Sequence, residues 1–236
     1  MSFPERLAGV QARIDAACAR AGRDPSEVRL VAVSKRHPPE AIRAAYEAGV
    51  RDFGENYAQE LRDKAAALAD LPDLRWHFIG PVQRNKVRYL AGPAHLCHGL
   101  DRLAAAEALS DRAEREGVVA ACLVAVHLGG EESKHGARPE ELPSLLEQMA
   151  ELPGIEVRGL MSLPPYFDDP EEVRPYFRQL AALRDSLEAD LRSAGGRIKL
   201  SWLSMGMSHD LEVAIEEGAT LVRVGTALFG QRPPKV

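Results

Sequence analysis

Lys35 closes an apolar run, Leu30-Val31-Ala32-Val33-Ser34, and Pro38 and Pro39 follow it closely. Such a run reads as a buried strand. A lysine in that place has two readings. Most are solvated loop residues. One held at the rim of an apolar core has a depressed pKa, and its neutral amine can attack an aldehyde to form a Schiff base.

Two later segments carry phosphate-binding chemistry. In SMGMSHDLEVAIEEG (Ser204–Gly218), Gly206 lets the backbone turn or approach a ligand closely. Ser208 is placed to cap the helix that follows, with Asp210 and Glu212 in its first turn. In RVGTALFG (Arg223–Gly230), Gly225 and Thr226 offer N–H groups and a hydroxyl at a second turn-to-helix junction. Ordinary capping explains either segment alone. Two such junctions together suit a phosphate. Ser204 and Met207 belong to the same candidate binding segment. Arg223 sits inside the apolar run ATLVRVG and shares strand parity with Leu221 and Gly225. An unpaired buried charge is costly, so Arg223 needs a partner, either a carboxylate or a ligand acceptor such as a ring nitrogen.

The elements that must position these groups alternate along the chain. Short apolar runs fall near 28–34, 50–53, 75–80, 94–98, 119–128, 155–162, 198–204 and 219–224, with segments of helical character between them. Eight strands, each followed by a helix, predict a single-domain TIM-type (β/α)8 barrel over 28–230, close to the usual size of about 250 residues. An open doubly wound sheet is the alternative, and no GxGxxG follows an early strand to support it. Leu7, Val10, Ile14, Ala17 and Ala21 recur at helical spacing, so residues 1–22 form an extra N-terminal helix stopped by Gly22. In a barrel, functional groups sit on the loops after the strands. Lys35 falls there for strand one, the GENY run (Gly54–Tyr57) for strand two, and the two phosphate segments for strands seven and eight.

The net charge of −5 and a pI near 5.9 show no broad basic footprint for nucleic acid or an anionic membrane. Cys18, Cys97 and Cys122 are scattered, which suits a reducing cytoplasm better than a disulfide framework. No apolar run reaches the roughly 18 residues of a membrane span, and the charged N-terminus lacks a signal-peptide core. The histidines show no HxxxH spacing, so no metal site is expected.

A lysine imine, a phosphate cradle and an arginine facing a ring nitrogen together describe bound pyridoxal 5'-phosphate. The sequence resembles the pyridoxal phosphate homeostasis proteins. WHFIGPVQRNKVRYL (Trp76–Leu90) matches that family's signature without a break. VAVSK (Val31–Lys35), FGENYAQE (Phe53–Glu60), GEESKHG (Gly130–Gly136), GLMSLPP (Gly159–Pro165) and the run from Leu203 to Gly230 match in order. The resemblance implies a barrel similar to the N-terminal domain of bacterial alanine racemases. It implies Lys35 as the Schiff-base lysine and Arg223 opposite the pyridine nitrogen. Ser208, Gly225 and Thr226 would hold the phosphate, with Asn56 and His77 near the cofactor. Arg36-His37 and His127 depart from the family pattern, the last replacing a usual asparagine.

The expected role is a cytoplasmic, monomeric binding protein that keeps the free aldehyde low and supplies it to apo-enzymes in transient contact. The rival is a pyridoxal phosphate-dependent amino-acid racemase. A third reading is a sugar-phosphate aldolase using Lys35. Arginine opposite the ring nitrogen weakens the electron sink. The resemblance further implies that a racemase takes its second base, a tyrosine, from a β-rich domain for which the chain leaves no room after strand eight. No convincing substitute stands out in the sequence.

Overall fold

The structure is a computed structural model that describes residues 1–129, 135–191 and 198–230. The Gly130–Lys134 part of the GEESKHG match lies outside these residues. The chain opens with helix α1 (Phe3–Ala21). Ser2 N–H donates to the Glu5 carboxylate at 2.6 Å, and Glu5 N–H donates back to Ser2 Oγ at 3.4 Å, a reciprocal capping box. Gly22 ends the helix at φ 66°, where a side chain would be strained.

Eight parallel strands then close on themselves: β1 (Arg29–Val33), β2 (Asp52–Glu55), β3 (Arg75–Pro81), β4 (Leu96–Leu100), β5 (Ala120–Val126), β6 (Ile155–Ser162), β7 (Ile198–Ser204) and β8 (Leu221–Val224). Each pairs with its neighbour, and β8 pairs back with β1 in the register Val31 to Arg223. Helices α2 (Pro39–Glu47), α3 (Ala58–Ala67), α4 (Leu103–Arg115), α5 (Leu142–Ala150), α6 (Arg174–Leu191), α7 (Leu211–Glu216) and α8 (Thr226–Phe229) surround them. This is the TIM-type (β/α)8 barrel expected from the alternation. Two details differ. The β3–β4 connection is a 3-10 helix, Arg84–Tyr89, instead of an α-helix. Gly54 and Glu55, read as the start of a loop, belong to β2, because Glu55 is buried and hydrogen-bonded there.

Strand alternation divides the core in two. One set of side chains packs between strands and helices. The other fills the barrel interior with Val31, Leu96, Leu123, Met161 and Leu221 among others. A polar layer shares that interior, because His77, His98, Ser204 and Arg223 are all buried. Outside the barrel, α1 braces the loops after β7 and β8. Arg13 donates to Glu212 at 2.6 and 2.8 Å and to the Ser208 carbonyl at 2.9 Å, while Arg6 Nε donates to the Leu228 carbonyl at 2.5 Å. Among the described residues no helix is long and apolar enough to cross a membrane, and no group of three or more potential ligands is arranged to hold a metal. All three cysteines are buried free thiols.

Candidate cofactor-binding site

A cavity of about 400 Å³ opens at the C-terminal ends of the strands. Its wall brings together Lys35 after β1, Asn56 after β2, Met207 and Ser208 after β7, Arg223 on β8, and Gly225 and Thr226 after it. The barrel closure thus gathers residues from five loops and strands that are up to 191 positions apart, from Lys35 to Thr226. Val33, Ile79, Met161 and Leu163 supply the apolar surfaces. Past Asn56, Ile79, Met161 and Leu163 the space continues into an annex of about 260 Å³. A larger cavity of about 520 Å³ lies at the N-terminal ends of the strands beside Arg29, Asp52 and Arg75. It holds none of the candidate nucleophile or anion-binding residues, so the smaller cavity is the candidate site.

His77 and Ser204 do not line the cavity wall. Both are buried beneath it in the barrel interior, where His77 bonds Asp52 and His98 and Ser204 bonds Arg223. Their inward parity explains the placement: they are one layer deeper than the loops. Tyr166 and His209 do reach the wall, at its mouth, and their rings lie 5.2 Å apart. Tyr166 is 68% exposed. Its position just after strand six, behind Pro164 and Pro165, was the available signal.

The turn carrying Lys35 is clamped on both sides. Lys64, only 5% exposed, donates from Nζ to the Ser34 carbonyl at 2.9 Å and to Glu55 and Glu60 at 2.7 Å each. Ser34 Oγ donates to Glu55 at 2.6 Å, and the Arg36 N–H donates to Glu60 at 2.6 Å. Arg36 sits at φ 66°, a left-handed conformation uncommon for a side-chain-bearing residue. Burial pushes the Glu55 carboxyl up to about 7, against the pull of the Lys64 charge. Folded Glu55 therefore holds its proton more firmly than the unfolded chain does, and its contribution to stability falls as pH rises from about 4.5 to about 7. Lys64→Met strips Glu55 of its counter-charge. We expect a loss of about 3 kcal/mol at pH 8, where Glu55 must stay charged without its counter-ion or take up a proton, and a smaller loss at pH 5, where it is already protonated. Urea unfolding at the two pH values checks this; equal losses would show that the ion pair with Glu55 is not what Lys64 contributes.

Arg223 is 5% exposed and, among the described residues, meets no carboxylate by hydrogen bond. Nη1 donates to Ser204 Oγ at 2.7 Å and Nη2 to the Ser162 carbonyl at 3.0 Å. Burial draws its pKa down to about 10, partly offset by Asp210, and it remains a cation at neutral pH. Two of the five N–H groups of its guanidinium are used among the described residues, and the residue forms part of the cavity wall. The Ser162 hydroxyl nearby is buried without a partner among the described residues.

The loop after β7 turns at Gly206, at φ 89°, where a Cβ would also meet the Ala214 Cβ at 2.5 Å. Only glycine fits there without strain. Ser208 does not cap α7, which starts three residues later at Leu211. The Asp210 carboxylate takes the turn instead, accepting from the Met207 N–H at 2.6 Å. Ser208 Oγ accepts from the Ala227 N–H at 3.4 Å and so joins the β7 loop to α8. The two junctions are thus stitched into one surface.

The alanine racemase N-terminal domain model matches residues 6–233. The pyridoxal phosphate homeostasis protein of Aquifex aeolicus is 51% identical, over 98% of this chain and 99% of that protein. Its namesake in Pseudomonas aeruginosa is 48% identical over 98% and 96%. PipY of Synechococcus elongatus, solved with PLP bound, superposes with a TM-score of 0.84 at 39% identity, over 97% of this chain and 100% of PipY. An alanine racemase from Clostridium difficile shares the fold at 16% identity, with a TM-score of 0.69 over 95% of this chain and 57% of the racemase. With a site on this barrel and near-full-length relatives of one kind, the chain belongs to the pyridoxal phosphate homeostasis protein family, within the alanine racemase N-terminal domain fold.

Proposed function

We propose that this chain binds pyridoxal 5'-phosphate in the 400 Å³ cavity and holds it as a Schiff base with Lys35. It serves vitamin B6 homeostasis by keeping the free aldehyde low and passing it to apo-enzymes in the cytoplasm, acting as a monomer. Arg223 is the observation that carries this reading. A buried cation whose hydrogen bonds among the described residues go only to neutral oxygens, on the wall of a cavity that also holds a lysine, fits a ligand with a lone pair at one end and an aldehyde at the other. PipY, with PLP bound in its structure, supports it.

The residues divide the work. Lys35 supplies the amine. Ser208 and Thr226 supply hydroxyls and Gly225 a backbone N–H for the phosphate, and these charge-assisted bonds are the strong ones. Met207 and Asn56 flank the ring. Arg223 donates N–H to the pyridine nitrogen, which must then present its lone pair and stay unprotonated. The bound cofactor supplies an electrophilic aldehyde and an electron sink, strongest when that nitrogen is protonated. Arg223 therefore favours holding the cofactor over turning it over. Tyr166 at the mouth is too exposed to be a buried second base.

Two assays test the role. Mixed with an apo-enzyme that needs pyridoxal phosphate, the loaded protein restores its activity. Incubated with L-alanine, it forms no D-alanine above the rate of free cofactor. Robust D-alanine formation, lost in Lys35→Ala, would make the protein a racemase.

A further inference from the structure

Beneath the cavity floor a buried line of polar groups crosses the barrel from β2 to β8. His77 Nε2 lies 2.9 Å from Asp52 Oδ1, His77 Nδ1 2.9 Å from His98 Nε2, His98 Nδ1 2.8 Å from Ser204 Oγ, and Ser204 Oγ 2.7 Å from Arg223 Nη1. The two imidazoles meet edge to face, centroids 5.1 Å apart.

Chemistry fixes the direction of every link. Asp52 is buried, which by itself favours its neutral form. The Arg75 guanidinium, bonded at 2.7 and 2.8 Å, together with His77, outweighs that and holds it well below the usual carboxylate range. An ionised carboxylate only accepts, so His77 donates through Nε2. Burial keeps His77 neutral against the pull of Asp52, and it keeps His98 neutral too. A neutral ring carries one proton, so His77 Nδ1 accepts and His98 donates through Nε2. His98 Nδ1 is then bare and accepts the Ser204 hydroxyl. The Ser204 oxygen, its proton committed, turns a lone pair to Arg223 Nη1. Reversing one link would set two donors or two acceptors against each other.

We propose that Asp52, His77, His98 and Ser204 are positioning residues that act through Arg223. Their one-way chain of hydrogen bonds fixes the rotation of the guanidinium, and hence which N–H groups it presents to the cavity. The chain has a negative end and a positive end, and each bond polarises the next. The Ser162 carbonyl pins the other nitrogen, Nη2, at 3.0 Å. The link to the cavity rests on the reading of Arg223 as the partner of a ring nitrogen; the chain itself does not.

The first test uses the ligand-free full-length protein and 15N NMR. In the parent, both rings are neutral with the proton on Nε2, and the two Nη groups of Arg223 give separate signals. Asp52→Leu removes the terminal acceptor. His98, not in contact with Asp52, then shows mixed tautomers, and the Arg223 Nη signals broaden. Asp52→Asn, which keeps an acceptor oxygen, restores both. Circular dichroism establishes that each variant is folded; should Asp52→Leu fail to fold, Ser204→Ala gives the Arg223 readout. An Nδ1–H tautomer on either ring of the parent would overturn the proposal, as would an unaltered Arg223 signal in the folded variant. The second test follows the absorbance maximum of bound pyridoxal phosphate. It shifts in Ser204→Ala and Asp52→Leu and returns in Asp52→Asn. An unshifted maximum in both would overturn the positioning role even with the tautomers as assigned. Failure of the parent to bind the cofactor would sink the functional reading instead, and the NMR result would still decide the chain.

Discussion

Lys35→Ala abolishes the absorbance band of the protein-bound imine completely. No other described lysine lines the cavity. Lys64, the nearest alternative in the clamp, is buried in its own network with Ser34, Glu55 and Glu60. The phosphate and ring contacts do not need the amine, so the variant retains weakened, non-covalent binding of pyridoxal phosphate. Isothermal titration together with an absorbance scan separates the two effects. A persistent imine band in the variant would place the covalent bond elsewhere.

Ser208→Ala combined with Thr226→Val weakens binding of pyridoxal phosphate at least about 100-fold. A hydrogen bond to a charged group is worth roughly 1.5–3 kcal/mol, so losing two removes about 3 kcal/mol or more. At about 1.4 kcal/mol per tenfold, that is a factor above about 100. Ser208 also accepts from the Ala227 N–H, so part of its effect could act through the loops. Unphosphorylated pyridoxal is the control. It binds the parent weakly, and the double variant leaves its affinity nearly unchanged. An equal loss for both ligands would show that these hydroxyls shape the cavity without meeting a phosphate.

The barrel was legible because strand period and helix period alternate cleanly, and apolar runs mark all eight strands to within a few residues. The apolar run of the second strand stops two residues short of the strand's C-terminal end at Glu55. Gly54 and Glu55 look like loop residues until Lys64, nine positions on, is seen to neutralise Glu55. Lys35 and Arg223 were legible because a charge at the end of, or inside, an apolar run demands a reason. Its spacing makes Ser208 look like a helix cap, whereas Asp210 takes the turn and Ser208 faces the cavity and Ala227. The resemblance points to His77, and the segment after strand seven to Ser204, yet both lie beneath the cavity. Depth along a strand, which decides whether an inward residue meets the cavity or lies beneath it, depends on how all eight strands stagger, and no local pattern records that. The partnership of His77 with His98, and of His98 with Ser204 106 positions away, is likewise invisible before closure.

The most direct test of the account is to load the protein with pyridoxal phosphate, reduce it with borohydride, digest it and map the modified peptide. Reduction converts the imine to a stable secondary amine at the attached lysine. The expected result is one phosphopyridoxyl group per chain, on Lys35, with the modification absent from Lys35→Ala. A group found chiefly on Lys86 or Lys134, or spread over several lysines, would contradict the assignment of Lys35 as the covalent anchor.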